Sequence, residues 1–319
     1  MKKTLIASVV AAAAISGSVM AAEMPVVYGN IQWAVGYDDV TTDSGYSVFD
    51  NGSTIGVKHS HDISPGLTGF FKAEFEFDAT RKSGLQSAVS ADGDQGGGSG
   101  GLGETDEAYI GVKGDFGTIL VGTEDTVYEW IDVTDQFETL STPTEIDVTG
   151  EDKQLQYVSP TMNGMKVGIS YQINGEDAEG NNHRNGVQLA AIYEMNNLTV
   201  AAALDTADGA VGSKNNSTVY ALGVAYQMDQ FGVAGSYETQ ADNVDVWSLL
   251  ATANMGANSF KAGYAFSDYD SGAEANQISL QALHNVSDSM YVYVEGYLID
   301  QDKGMDDLRV VNLGATYSF

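Results

Sequence analysis

VVNLGATYSF (Val310–Phe319) alternates with a period of two. Val311, Leu313, Ala315, Tyr317 and Phe319 share one parity, and Asn312, Gly314, Thr316 and Ser318 share the other. In a strand, each parity is one face, so this segment has an apolar face and a small-polar face. The last residues of a soluble domain usually fray and are polar. Here a strand runs through to an aromatic end, and its apolar face needs an apolar medium to lie against.

The same two-faced pattern recurs upstream. In LTGFFKAEFEFDAT (Leu67–Thr80), Leu67, Gly69, Phe71, Ala73, Phe75 and Phe77 oppose Thr68, Phe70, Lys72, Glu74, Glu76 and Asp78. Near the start, Val27, Ile31, Trp33, Val35 and Tyr37 oppose Tyr28, Asn30, Gln32 and Ala34. A soluble barrel keeps its interior apolar; here the second face carries charge, so it meets bulk water or lines a wet lumen. A slip of one residue would put Lys72 and Glu74 into lipid, which fixes the register.

Sixteen strands are expected, at 26–40, 53–63, 67–80, 104–115, 117–125, 153–161, 165–175, 185–195, 198–207, 217–228, 231–241, 244–255, 259–269, 275–287, 290–301 and 306–319. Most are near the ten residues that a tilted strand needs to cross a bilayer. Tight turns such as Ser64–Gly66, Asp115–Gly117, Met162–Gly164 and Asn196–Asn197 alternate with long, acidic, glycine-rich connections such as 81–103 and 126–152. A β-sandwich has no reason to alternate loop length in this way. Lipid leaves no strand edge unpaired, so the sheet must close, and sixteen strands close around an aqueous channel. The fold class is therefore all-β, an antiparallel up-and-down transmembrane β-barrel of 16 strands. VVNLGATYSF is its closing strand, with Phe319 paired back toward Val27 and its aromatics in the interfacial girdle.

MKKTLIASVVAAAAISGSVMAAEM (Met1–Met24) has Lys2 and Lys3, a short apolar run and then small residues. These are the parts of a secretory signal peptide, with cleavage after Ala21 or Ala22. The expected organisation is a removed leader at 1–22 and one barrel at 23–319. No cysteine is present, so disulfides do not staple the exported chain. The formal charge is −30, and loss of the two leader lysines makes it −32. That excludes nucleic acid as a partner, because phosphate binding needs a basic face.

The chain resembles the Gram-negative general diffusion porins, the sixteen-stranded trimeric outer-membrane type. The resemblance runs through the expected mature chain. Its best local matches are STIGVKHSHDISPGL (Ser53–Leu67), DEAYIGVKGDFGTILVGTED (Asp106–Asp125), LQYVSPTMNGMKVGISY (Leu155–Tyr171) and the final GATYSF. It implies passive diffusion of small hydrophilic solutes and ions, a homotrimer in the outer membrane of a Gram-negative bacterium, and contact with its lipid and lipopolysaccharide. It also implies that the terminal phenylalanine is read by the outer-membrane assembly machinery, and that the third long loop folds into the barrel. No cofactor is expected.

That third loop carries Glu124, Asp125, Glu129, Asp132, Asp135, Glu138, Glu145, Asp147, Glu151 and Asp152, and no lysine or arginine. Read alone, such a run is a solvated acidic loop. Read with the resemblance, Asp125, Glu129, Asp132, Asp135 and Glu138 form the acidic side of a constriction that favours cations. The family usually sets arginines on the opposite wall. Thr54, Asp106 and Thr123 stand where they are expected, so the basic wall falls to Lys58, Lys72 and Lys113, with Lys166 and Lys261 as further candidates.

Other motifs carry less. GSGGLG (Gly98–Gly103) lies in a glycine-rich loop before a strand, not between a strand and a helix as a dinucleotide fingerprint requires. DGDQGG (Asp92–Gly97) lacks ligands that a calcium loop needs. His59 and His61 share a strand face without an evident third metal ligand. A barrel hydrolase needs a nucleophile beside a base, and none of His59, His61, His183 and His284 sits in such a motif. A non-conducting adhesin is the other alternative; conductance distinguishes it.

Overall fold

The computed structural model describes residues 24–39, 45–80, 104–139, 146, 149–175, 184–206, 217–301 and 308–319. The expected leader, the 81–103 loop with its two glycine motifs, Glu145, Asp147 and His183 lie outside the described residues.

The wall begins with β1 (Val26–Asp39), β2 (Gly45–Asp50), β3 (Ser53–Ser64), β4 (Leu67–Phe77), β5 (Glu104–Gly114) and β6 (Gly117–Thr123). It continues through β7 (Gln154–Val158), β8 (Met165–Gly175), β9 (Arg184–Met195), β10 (Leu198–Asp205), β11 (Val219–Met228) and β12 (Phe231–Gln240). It ends with β13 (Val244–Met255), β14 (Asn258–Tyr269), β15 (Glu274–Ser287), β16 (Met290–Gln301) and β17 (Leu308–Ser318). All neighbours pair antiparallel, and β17 returns to β1 from Asn30↔Ser318 to Asp39↔Arg309. Phe319 exchanges both backbone hydrogen bonds with Gly29, two residues from the expected Val27. Deleting Phe319 removes this last bonded pair; the expected result is reduced assembly into the outer membrane, read by fractionation and heat-modifiable electrophoresis.

The barrel has sixteen staves, because β2 and β3 both pair with β1 and form one broken stave. Between Trp33↔Asp50 and Asn30↔Thr54 the stave advances four residues while β1 advances three. The extra residue is a β-bulge, with Gly52 at φ 88°. The Asp50 carboxylate holds it, accepting from Gly52 N at 2.9 Å and Ser53 N at 2.7 Å. The bulge flips the parity, so this stave reads from sequence as starting at 53 when it starts at Gly45. Stave β7 is shorter than the expected 153–161. Lys153 has a left-handed φ of 54°, and Pro160 beyond its other end has no N–H to give to a ladder.

The burial pattern is inverted relative to a soluble protein. Trp33 is 45% exposed on the outer wall, while its neighbour Gln32 is 3% exposed inside. Leu249, Leu280 and Leu313 also face outward, and Gln188, Gln277, Gln281, Glu238 and Glu295 are buried. An apolar outer band around a polar interior is what a lipid-embedded barrel requires. The turn at Asn163–Gly164 has φ 52° and 84°, which suits a tight two-residue hairpin.

Candidate functional site

After β6 the chain leaves the wall at Glu124, makes a 3₁₀ turn at Val127–Ile131, and rejoins the wall at Gln154. Its first part lies inside the barrel because the wall there is small and apolar. Val127, Tyr128 and Ile131 are fully buried against Ala190 of β9, Ala201 and Ala203 of β10, Val219 and Ala221 of β11, and Val244 and Val246 of β13. Close approach needs glycine. A Cβ on Gly168 would lie 2.6 Å from Val127 Cγ1, and one on Gly223 would lie 2.5 Å from Ile131 O. Gly168→Leu should therefore push the loop off the wall and cost about 1–3 kcal/mol as overpacking, read as a lower unfolding midpoint of the purified barrel.

Wall carboxylates hold the loop. Glu238 of β12 accepts from Tyr128 OH at 2.7 Å and Ile146 N at 3.1 Å. Asp205 of β10 accepts from Thr149 N at 3.0 Å, Thr149 Oγ1 at 2.6 Å and Gln188 Nε2 at 2.8 Å. Glu295 of β16 accepts from Glu138 N at 3.0 Å, Thr139 N at 2.5 Å, Gln281 Nε2 at 2.8 Å and the Thr139 hydroxyl. Lys261 of β14 donates to Gln136 O. Hydrogen bonds to charged groups contribute about 1.5–3 kcal/mol each, so these anchors fix the loop across the lumen. Sequence reading missed Glu238, Asp205 and Glu295. The available signal was carboxylates at lumen-facing parity on strands remote from the acidic loop.

The loop and the facing wall enclose a cavity of about 940 Å³. Asp125, Glu129, Asp132 and Asp135 line it, as do Lys58 and Lys72. Glu138 does not: its Oε2 accepts from Tyr291 OH at 2.8 Å, against β16. Burial raises the Glu138 carboxyl above the usual carboxylate range, against the opposing pull of the Tyr291 hydroxyl and Lys261. Lys113 is exposed beside the Asp115–Phe116 turn, away from the cavity. Lys166 lines the cavity, and Lys261 belongs to the seat of the loop. Thr54 and Asp106 line the cavity; Thr123 pairs with Ala108 at the end of β6 and does not line it.

The facing wall is itself acidic. Glu74, Glu76, Asp106 and Glu107 stand there, and Glu124, Asp125, Glu129, Asp132, Asp135 and Glu151 of the loop share the lining, Glu124 beside Glu107. That makes ten carboxylates against three lysines in one lining. Each lysine is engaged. Lys72 pairs with Glu107 at 2.5 Å and Glu74 at 3.8 Å, Lys58 sits 4.8 Å above the Tyr28 ring, and Lys166 sits 4.8 Å above Trp130. Burial, then the nearby Glu107 carboxylate, pushes the Glu124 carboxyl well above the usual carboxylate range. Two triads, Glu74/Asp106/Glu107 and Asp125/Glu129/Glu151, bring ligand oxygens within 4.8 Å of one another. His59 and His61 lie on the outer wall with ring centroids 5.8 Å apart, His59 also against Phe71.

The sequence model described as Gram-negative porin matches residues 7–304. The monosaccharide porin of a Halomonas species is 29% identical over an alignment of 382 positions, gaps included, that covers all of both chains. The major outer membrane protein of Halomonas elongata matches to the same extent. Among solved structures, the anion-selective porin from Comamonas acidovorans superposes with a TM-score of 0.72 at 18% identity, covering 93% of this chain and 99% of that one.

Proposed function

Because the chain belongs to the Gram-negative porin family, whose barrels are channels of the outer membrane, we propose that it is a weakly specific diffusion channel for small hydrophilic solutes that prefers cations. The observation that carries this is the lining of ten carboxylates and three engaged lysines. A permeating cation meets acceptors on both walls; an anion meets no lysine without a carboxylate or ring already beside it. The anion selectivity of the Comamonas neighbour belongs to that protein, since 18% identity carries the fold alone. Uncharged sugars fit the same reading, because carboxylates and amides accept from hydroxyls; a relative is named for monosaccharides.

Swelling of proteoliposomes loaded with an impermeant polymer tests the reading. Lysine should enter faster than glutamate, two amino acids of similar size and opposite charge. Faster entry of glutamate, or no entry of either, contradicts it.

The working state in this reading is a homotrimer of chains that have shed residues 1–22, surrounded by outer-membrane lipid and lipopolysaccharide after delivery by the assembly machinery. The outer wall of the two terminal strands, where Trp33, Val35, Val311 and Leu313 stand exposed, is the face that this reading packs against a neighbour. Crosslinking in mild detergent should give trimers; monomers alone count against it.

A further inference from the structure

Asp125 and Glu129 lie at the start of the inner loop and Glu151 at its end, yet their carboxylate oxygens gather within 4.8 Å of one another. The two ends of the loop meet there through the backbone. Glu124 N donates to Glu151 O at 3.3 Å, and Gln154 Nε2 donates to both Glu124 O and Glu151 O at 2.6 Å. Three carboxylates at such spacing repel, and alone they make no site.

A second observation comes from Gln156. It is 5% exposed, lines the same cavity, and donates through Nε2 to Asp125 O at 3.0 Å. That bond fixes the amide orientation, because a carbonyl oxygen accepts only from the nitrogen. Oε1 is then left buried with no hydrogen-bond partner among the described residues. A buried amide oxygen that lines the same cavity as three carboxylates, on a side chain bonded to the backbone of one of them, has acceptor capacity and no donor among the described residues, which suits a cation and does not suit an anion or an apolar group.

We propose that Asp125, Glu129, Glu151 and Gln156 form a calcium site that clasps the root of the inner loop. The donor set is all oxygen, as a hard divalent cation requires. Ligand chemistry selects between the common ones. Calcium takes about six to eight oxygens in flexible geometry, whereas magnesium demands a near-ideal octahedron and gives up its waters reluctantly. Three carboxylates from two ends of a loop, with oxygens within 4.8 Å of one another, suit the less demanding ion. An ion there joins the β6 end of the loop to its β7 end and cancels two of the lining's negative charges. The channel's charge preference would then respond to calcium, a consequence that rests on the cation-preferring reading; the binding itself does not.

The test is calorimetric titration of the purified, detergent-solubilised protein with calcium chloride and with magnesium chloride, together with reversal potentials in potassium chloride with and without calcium. Wild-type protein should bind calcium more tightly than magnesium, and calcium should lower the cation preference. Glu151→Gln and Gln156→Met should each weaken calcium binding tenfold or more, while Glu107→Gln, in the other triad, should retain it. Equal binding of the two ions, retention in Glu151→Gln, or loss only in Glu107→Gln overturns the site. Calcium binding as described in a channel that prefers anions would leave the site standing and remove the proposed selectivity.

Discussion

Replacing Glu295 with alanine will release the far end of the inner loop and enlarge the channel. The carboxylate is 2% exposed and serves two backbone amides, a hydroxyl and the Gln281 amide. Each buried donor left without a partner costs about 1–3 kcal/mol, although water in the lumen can serve some of them. A net destabilisation of about 3 kcal/mol is expected by that measure. The Asn51 bond to Glu138 O, the Asn312 bond to Thr139 Oγ1 and the Lys261 bond to Gln136 O remain, but none of them serves the Glu138 and Thr139 amides. Glu295→Ala should therefore show a larger, noisier single-channel conductance and a lower unfolding midpoint. Glu295→Gln keeps one acceptor oxygen and should fall between. Wild-type conductance in both variants would mean that the loop is held by its apolar side, through Tyr128 and Ile131, and not by this anchor.

The second large effect is on charge preference. A unit charge about 7 Å from a passing ion is worth about 0.6 kcal/mol in water, and screening at 0.1 M salt roughly halves that. The sign reverses between cation and anion, so one carboxylate shifts their relative permeability by about threefold, at 1.4 kcal/mol per factor of ten. Asp125→Asn, Asp132→Asn and Asp135→Asn combined should cut the cation preference by about tenfold, allowing for overlap of their fields. Thr54→Arg introduces a cation among the Asn30, Lys58 and Glu76 side of the lining and should lower it further. Glu138→Gln should do little to selectivity, because that carboxylate sits against Tyr291 outside the lining.

Much of this was legible in the residues, for definite reasons. Alternation in segments such as Leu67–Phe77 forces one charged and one apolar face, and closure in lipid follows. The short turns announce themselves by Asn163–Gly164 and its kind. The broken second stave was not legible, because one extra residue at Asn51–Gly52 inverts the parity that reveals a strand. The acidic side of the cavity could be read from the charge run, but the place of each carboxylate within it could not. Glu138 lies six residues from Asp132 in sequence, and whether it faces the cavity is decided by Tyr291 and Glu295, more than 150 residues away. Lys113 and Lys72 look alike by parity; only the depth of each along its strand separates a turn residue from a lining residue. The acidity of the facing wall follows from Glu74, Asp106 and Glu107 meeting across β4 and β5, a juxtaposition that pairing creates.

Whether the constriction favours cations is read from the reversal potential of single channels across a potassium chloride gradient. Wild-type protein in a calcium-free planar bilayer should give a potential of the sign set by potassium, growing as salt is lowered because screening weakens. A potential of the sign set by chloride, or one near zero at every salt concentration, would contradict it.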